Sequence, residues 1–279
     1  MIRTMNRVTV GALTIAVVFG LLCFVPMMAH ASPKTTVYVV TKEVKTVAPN
    51  EYYVDGELTK VSVKYTNKYS YNKVGLIKKY KENTWESTGR TWVSGIKFKF
   101  NKKYGFVSGK FKTSSGESGT QYYTLNKKGR AKSCSGVKYK YYPNGRTKKV
   151  GGYGWSNTFT WNSKGLTKIL HKEQDYKITT HFTYNAKKNL ATKTEVHPDG
   201  SELKYTFANK YKGGKLVKRV STQINPEGDG VDVLYDTVTY KYKKIKVPKK
   251  MAAQVKAQQR WIMLQSATGY YPPLESMYK

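Results

Sequence analysis

Lysines alternate with apolar side chains along several segments of the chain. Between Ile96 and Phe100 two lysines separate three apolar residues, and the stretch 137–141 has the same pattern. Because successive side chains of a strand point to opposite faces, this spacing places the lysines of each segment on one face, where they can bind anionic groups. The lysines predicted to bind are Lys97, Lys99, Lys138, Lys140 and Lys204.

A glycine-rich aromatic segment supplies a second kind of candidate. Residues 151–156 run Gly-Gly-Tyr-Gly-Trp-Ser. Glycines let a ligand approach the backbone closely, and a tryptophan ring can stack on a sugar or fill a core. We therefore include Trp155 as a candidate glycan contact, with core packing as the alternative.

Residues typical of catalytic or metal centres form no recognisable pattern. A loop near residue 230 is rich in carboxylates, but their spacing does not match a calcium-binding loop, which favours a plain hairpin. Its acidic residues are Glu227, Asp229, Asp232 and Asp236. The histidines lack the paired spacing of a zinc site, and no nucleophile stands beside an evident base. We predict no catalytic residue, metal ligand or cofactor, and keep a cell-wall hydrolase as an alternative.

A short pattern that recurs along the chain predicts how these residues are positioned. It consists of an aromatic residue, any residue, an aromatic residue or Leu, usually Asn, and then Gly. Clear copies begin at Tyr69, Tyr123, Tyr139 and Phe159. Aromatic residues two positions apart share one face of a strand, while Asn and Gly supply turn conformations, so each copy predicts a β-hairpin. In a copy near residue 185, Asn189 is predicted to replace the glycine.

The repeats resemble those of the tyrosine-aspartate (Rhs/YD) family of secreted bacterial proteins. In that family Asp stands where this chain has Asn, as at Asn72, Asn126 and Asn162, and Arg follows the glycine here only at Arg130 and Arg146. The resemblance covers roughly residues 51–247. It implies a curved antiparallel sheet that acts as a shell or as a carbohydrate-binding surface.

Composition supports an all-β protein with an anionic partner. Lys and Arg total 50 against 17 acidic residues, a net charge of +33, and 24 tyrosines favour strands over helices. We predict repetitive antiparallel hairpins that form an extended curved sheet or open barrel, with a short helix near 249–265. The helix is expected to cap the open end of the sheet.

The N-terminus predicts export. Arg3 and Arg7 precede an apolar run, and Ala29-His30-Ala31 fits a signal-peptidase site, although an uncleaved membrane anchor is the alternative. Cleavage leaves Cys134 as the only cysteine, so no internal disulfide can form, and we interpret it as a small core residue. The predicted parts are a signal helix at 1–31, a lead at 32–50, the repeats at 51–247, and a helix with a tail at 248–279.

These patterns predict a secreted or cell-surface interaction module. Its expected partners are anionic cell-envelope polymers or glycans. Specific nucleic-acid binding is not expected, and a membrane would be contacted only through an uncleaved signal or through surface charge. The alternative is a glycan-binding module in which aromatic stacking dominates. Salt distinguishes the two, because it screens charge and leaves stacking in place.

Overall fold

The computed structural model describes residues 33–54, 57–101, 106–186, 188–225 and 230–268. The predicted signal helix and the tail with Pro272 and Pro273 lie outside these residues. The described residues from Thr35 onward form one compact unit. No helix in the described part of the chain has the length and apolarity that a membrane crossing needs.

Seventeen strands form one antiparallel sheet that closes into a nearly complete barrel. Consecutive strands pair with each other from β2 to β6 and from β7 to β17. The first strand, β1, pairs with both β2 and β17. Only Tyr123 separates β6 from β7. The strands are β1 Lys34–Val54, β2 Glu57–Tyr71, β3 Ile77–Glu86, β4 Thr91–Phe100, β5 Phe106–Thr113, β6 Ser118–Tyr122, β7 Thr124–Leu125, β8 Ala131–Cys134, β9 Val137–Tyr141, β10 Thr147–Gly152, β11 Trp155–Trp161, β12 Leu166–Glu173, β13 Tyr176–Tyr184, β14 Leu190–Val196, β15 Glu202–Lys212, β16 Lys215–Ile224 and β17 Val233–Pro248.

The predicted all-β hairpin fold is thus confirmed, and the sheet is closed further than an extended one. Most of the segment at 32–50 lies in β1, which pairs with β2.

The antiparallel order gives the sheet two distinct ends. One end, which we call the repeat end, carries the turns that join β2–β3, β4–β5, β7–β8, β9–β10, β11–β12, β13–β14 and β15–β16, and the Asn-Gly repeats fall on these turns. The other end, which we call the rim, carries the turns of the remaining hairpins. All copies of the repeat therefore face the same way around the barrel.

The repeated asparagine closes its turn with its own side chain. Asn72 Oδ1 accepts hydrogen bonds from the backbone N–H groups of Val74 at 3.1 Å and Leu76 at 3.0 Å. Asn126 and Asn162 accept two turn N–H groups in the same manner. These hydrogen bonds use only the side-chain oxygen, so an aspartate carboxylate could accept the same hydrogen bonds at these positions.

The glycine of the repeat adopts a left-handed backbone. Gly75 has φ +87°, and a Cβ there would come within 2.6 Å of Val247 Cγ1. In the turn after Asn185, the hydrogen bonds place Lys188, with φ +60°, at the position of Gly75. The interpretation of Asn189 as the glycine substitute is therefore wrong by one residue. The turn has the same backbone hydrogen bonds as the turn at Asn72, and Lys188 takes the left-handed conformation that Gly75 has there.

The second aromatic residue of a repeat fastens neighbouring hairpins together. Tyr141 Oη donates to the carbonyl of Ala131 at 2.8 Å, and Tyr184 Oη donates to the carbonyl of Leu166 at 2.8 Å. Trp161 does the same with its indole N–H. A ring with a polar tip thus packs in the core and also donates a hydrogen bond to the backbone of a neighbouring strand.

The alternation predicted from the sequence places apolar side chains on the inner face of the sheet and lysines on the outer face. Val61, Phe98 and Tyr139 are buried on the inner face, while the lysines between such residues are exposed on the outer face. Burial of the inner side chains supplies the main driving force for closing the sheet.

The predicted C-terminal helix is present and packs against the inner face of the sheet. A single 3₁₀ turn, Lys249–Met251, leads into α1, Ala252–Thr268. Two buried glutamines of α1 accept backbone N–H groups of the sheet: Gln259 Oε1 from Val40 at 2.6 Å and Gln258 Oε1 from Ile77 at 3.1 Å. The helix is therefore part of the core and more than a cap on its end.

Cys134 is buried and unpaired, as its isolation in the sequence predicted. We expect Cys134→Ser to change the free energy of unfolding by about 1 kcal/mol or less, because the neighbouring Ser135 hydroxyl, which contacts Sγ at 3.6 Å, can pair with the new hydroxyl. Urea denaturation of both proteins measures the change, with Cys134→Ala as the control for lost volume. A loss of several kcal/mol would contradict this interpretation.

Candidate anion-binding groove

A groove on the outer wall brings lysines from three strands together. In one row across β3, β4 and β5, Lys79 pairs with Lys97, which pairs with Lys110. In the next row Lys81 and Lys112 lie on either side of a glycine. The groove between them has a volume of about 440 Å³. Five lysine side chains therefore line one shallow space.

Gly95 creates the space at the centre of this groove. It lies between Lys81 and Lys112 in the register and has no side chain to separate them. A Cβ there would lie 3.1 Å from the carbonyl oxygen of Tyr80, so larger side chains are disfavoured by the backbone beneath. Val93, two residues before it on the same face of β4, supplies apolar lining beside it. The floor is thus open and apolar, and the walls are cationic.

The groove lysines lack carboxylate partners among the described residues. Like charges directly opposite each other on neighbouring strands are destabilising, and here three lysines stand in one row. An anion placed in the groove would relieve that repulsion, which is the electrostatic property of a binding site.

Acidic residues are segregated away from this wall. Each described Asp or Glu lies either inside the barrel or within a few residues of a rim hairpin. The interior ones are Glu43, Glu82, Glu195 and Asp236. The rim ones are Glu51, Glu57, Glu86, Glu117, Glu173, Asp175, Asp199, Glu202 and Asp232. Away from the rim, the outer wall consequently presents lysine without local neutralisation.

The structure brings only some of the predicted lysines together. Lys97 lines the groove, and Lys99 follows it on the same outer face of β4. Lys138 and Lys140 lie on β9, and Lys204 lies on β15, where Glu202 is 2.8 Å from its ammonium group. These three are exposed on distant parts of the wall and do not contribute to the groove.

Trp155 occupies the boundary between the core and the surface. It is half-buried and packs against the core formed by β8 to β15, with its indole nitrogen close to Gly152. Its loop neighbour Tyr153 is fully exposed. The glycine-rich loop therefore presents Tyr153, more than Trp155, to a ligand.

The acidic loop does not form a single cluster. Asp236 points into the barrel, where its carboxylate binds Lys45 Nζ at 2.9 Å and the Ser221 hydroxyl. Asp232 accepts a hydrogen bond from the backbone of Asn225 at 3.2 Å, and Glu227 and Asp229 lie outside the described residues. In the part of the chain that the structure describes, no group of three potential ligands could hold a metal ion.

The interior contains a charged network that sequence reasoning missed. Asn67 Nδ2 donates to Glu43 Oε1 at 3.1 Å, and Tyr80 Oη donates to Glu82 Oε2 at 2.7 Å. Arg219 is buried as well. Burial raises the pKa of Glu43 to about 7, against the opposing effects of Asn67, Arg219 and Lys45. The sequence did carry a signal for this network. Charged residues stand at positions where the alternation of the strand predicts an inward, apolar side chain.

Arg219 links this network to the C-terminal helix. Its guanidinium donates to the carbonyl of Met263 at 2.6 Å and to the Ser266 hydroxyl at 2.6 Å. The Tyr240 hydroxyl is 2.7 Å from the same serine oxygen. The end of α1 is therefore held by a charged side chain that has no access to water.

Comparison with known proteins identifies a similar fold but no family. No protein-family model matches the sequence, and no curated protein matches it. Among solved structures, a porin-like protein from Bacteroides uniformis is similar, with a TM-score of 0.52 and 15% identity over 73% of this chain and 98% of that chain. At this identity the likeness concerns the fold alone.

Two toxin complexes show a weaker similarity. The TcdB2-TccC3-Cdc42 and TcdB2-TccC3 structures give TM-scores of 0.37 and 0.34 at 10% identity. This chain covers 11% and 14% of those chains.

Proposed function

We propose that this protein acts outside the cytoplasm as an interaction module that binds phosphate-bearing anionic polymers of the cell envelope. The observation that carries the proposal is the groove at Gly95, where five lysines from neighbouring strands surround an open floor. Cations at this spacing suit a chain of phosphate groups, which several lysines can contact together. The proposal is one of binding and includes no catalytic step.

The charge segregation supports binding along the wall. A net charge of +33 attracts polyanions from a distance. Because the described carboxylates lie inside the barrel or at the rim, this attraction is strongest along the rest of the outer wall. Nucleic acid would bind by the same attraction in vitro, without sequence preference. A membrane would be contacted only through surface charge or an uncleaved signal.

The repeats support a relationship to the tyrosine-aspartate repeat proteins. The side chain of each repeated asparagine accepts turn N–H groups through its oxygen, which is the role an aspartate carboxylate would have. We propose this relationship on the chemistry of the turns, as an explanation of the scaffold and not of the ligand.

Binding to two immobilised polymers tests the proposed function. Long-chain polyphosphate carries charge, whereas chitin is a neutral polymer of N-acetylglucosamine. We expect binding to polyphosphate at about 0.1 M salt and release near 1 M, where the screening length falls from about 10 Å to about 3 Å. Chitin should retain little protein under either condition.

Trp155→Ala supplies the opposing test. Since Trp155 is half-buried and packs on the core, its loss should leave the affinity for polyphosphate within about threefold, once thermal melting has confirmed a folded protein. If the substitution eliminates binding, or if chitin binds and 1 M salt does not release it, the glycan-stacking function replaces the anionic-polymer function.

A further inference from the structure

Two exposed aromatic rings stand on the outer wall, one on each side of the groove at Gly95. Trp85 lies on β3 with 45% of its surface exposed, and Tyr122, the last residue of β6, is 75% exposed. Aromatic side chains elsewhere in the barrel use their polar tips inside the fold, as Trp161 does. Among the described residues, none bonds to the indole N–H of Trp85 or to the hydroxyl of Tyr122, so both rings have a free face and a free polar tip.

The strand register places both rings on the same face as the groove lysines. Trp85 follows Lys81 by four residues along β3, so the two side chains point the same way. Tyr122 pairs with Ser108, which pairs with Lys99 on the outer face of β4. The rows of groove lysines therefore lie between the two rings, which the rise and spacing of strands put roughly 30 Å apart.

Packing does not account for these two rings. Neither of them belongs to the two hydrophobic cores of the barrel. Another exposed ring, Tyr38, is covered by the ammonium group of Lys215 at 4.2 Å, and Trp92 pairs with Thr84 on the inner face. A single exposed aromatic residue on a protein surface is ordinary. Two of them that flank a cationic groove on one wall indicate that the bound polymer has an apolar part as well as a charged part.

The neighbours of Trp85 suit a sugar. Thr91 stands opposite it, and Asn83 lies next to it on the same face of β3. Asn83 Oδ1 is buried and receives no hydrogen bond from the described residues, so a sugar hydroxyl could donate to it after a rotation of the side chain. An aromatic face can stack on the apolar face of a sugar ring while such polar groups bind its hydroxyls. Lys64, which pairs with Trp85 on β2, adds a cation for a nearby phosphate.

The position of the rings favours sugars over nucleic-acid bases. A single-stranded nucleic acid carries a base beside every phosphate, and its binding sites stack successive bases on aromatic side chains among the cations. Between Trp85 and Tyr122, the described outer face of β3 to β6 carries no aromatic residue. Sugar branches that leave a phosphate backbone sideways could reach rings at the margins of the groove.

We propose that Trp85 and Tyr122 are stacking platforms for sugars, and that the ligand of the groove is a phosphate polymer with sugar branches. The inference rests on the proposed function: the lysines hold the phosphate backbone, and the rings hold sugar branches on either side of it. The lysines supply most of the attraction and the rings supply selectivity. A neutral glycan such as chitin is therefore not retained by the rings alone.

A matched pair of polymers tests this proposal. Poly(ribitol phosphate) with glucosyl branches and the same polymer without them have equal backbone charge. In surface plasmon resonance at about 0.1 M salt, the wild type should bind the branched polymer about tenfold more tightly, roughly threefold from each ring. Trp85→Ala with Tyr122→Ala should lower this ratio to about one and leave the affinity for the bare polymer within about twofold. Trp85→Tyr, which keeps a ring, should retain most of the preference.

The control removes two rings of similar exposure elsewhere. Trp92 is 44% exposed on the inner face, and Tyr153 is exposed on the turn between β10 and β11. Trp92→Ala with Tyr153→Ala should keep the tenfold ratio, once thermal melting has confirmed that every variant is folded. The ratio should also persist at about 0.3 M salt, because salt screens the phosphates and leaves stacking in place.

The outcomes separate this inference from the proposed function. Equal affinity of the wild type for the two polymers overturns the inference alone, whereas binding of neither polymer overturns both. A preference that survives the loss of Trp85 and Tyr122, or that the control variant loses as well, shows that these rings do not select the sugar. If the wild type shows no sugar preference but binds oligothymidylate through the two rings, single-stranded nucleic acid replaces the branched polymer.

Discussion

Replacing Lys79, Lys97 and Lys110 together with glutamine is expected to weaken binding to immobilised polyphosphate roughly 30- to 100-fold at about 0.1 M salt. The three ammonium groups stand in one row across three strands and lack carboxylate partners among the described residues. Each contributes at most about 1 kcal/mol as a surface charge, so single substitutions should change the affinity only a few-fold.

The matched control removes the same charge elsewhere. Lys138, Lys140 and Lys204 lie on β9 and β15, away from the groove, and Lys204 is already paired with Glu202. Replacing these three with glutamine should weaken binding only about threefold, through the lower net charge. Surface plasmon resonance measures both variants. Equal losses in the two triple variants would show that charge spread over the whole wall binds the polymer and that the groove has no special role.

Replacing Glu43 with glutamine is expected to stabilise the protein at pH 8 by about 2 to 3 kcal/mol and to have little effect near pH 4.5. Burial raises the pKa of Glu43 from 4.5 to about 7. The groups that act on it are Asn67, Arg219, Lys45 and Glu82. Glutamine keeps an acceptor for the Asn67 amide and removes the buried charge.

The direction of the pH dependence follows from the proton count. Between pH 4.5 and about 7 the folded protein holds a proton on Glu43 that the unfolded chain has released. Folding stability from this group therefore falls as the pH rises through that window, and the cost is fully present above pH 7. The difference between wild type and Glu43→Gln should grow across the same window.

Urea denaturation at several pH values measures this difference. Glu51→Gln is the control, because Glu51 lies on the same strand and is exposed. Its effect should be small and independent of pH. If Glu43→Gln destabilises the protein at pH 8, then the electrostatic attraction between Glu43 and Arg219 outweighs the cost of burying the carboxylate.

Local patterns in the sequence were enough to predict the strands and turns. The period of two that places Phe98 inside and Lys97 outside depends only on strand geometry. The turn chemistry of Asn72 and Gly75 acts within five residues, so it is visible without any tertiary information. The terminal helix was predicted for a similar reason, as a segment free of Gly and Pro after Pro248.

The grouping of lysines depended on the register between strands. Lys97 was selected by alternation, but its neighbours Lys79 and Lys110 are 18 and 13 residues away along the chain and meet it only by pairing. Lys138 and Lys204 have the same local pattern and lie elsewhere on the barrel. Alternation predicts a face, whereas only pairing decides which residues of that face are neighbours.

The sequence by itself determined an all-β chain of hairpins with lysine on one face, because strand periodicity and turn conformation are properties of adjacent residues. The tertiary structure alone decided that the sheet closes, that α1 packs inside it, and that charges such as Glu43 and Arg219 share its interior. It also gathered the exposed carboxylates of the described residues at the rim, away from the rest of the outer wall. These features depend on pairing between residues far apart in the chain, such as β1 with β17, and local chemistry does not specify such contacts.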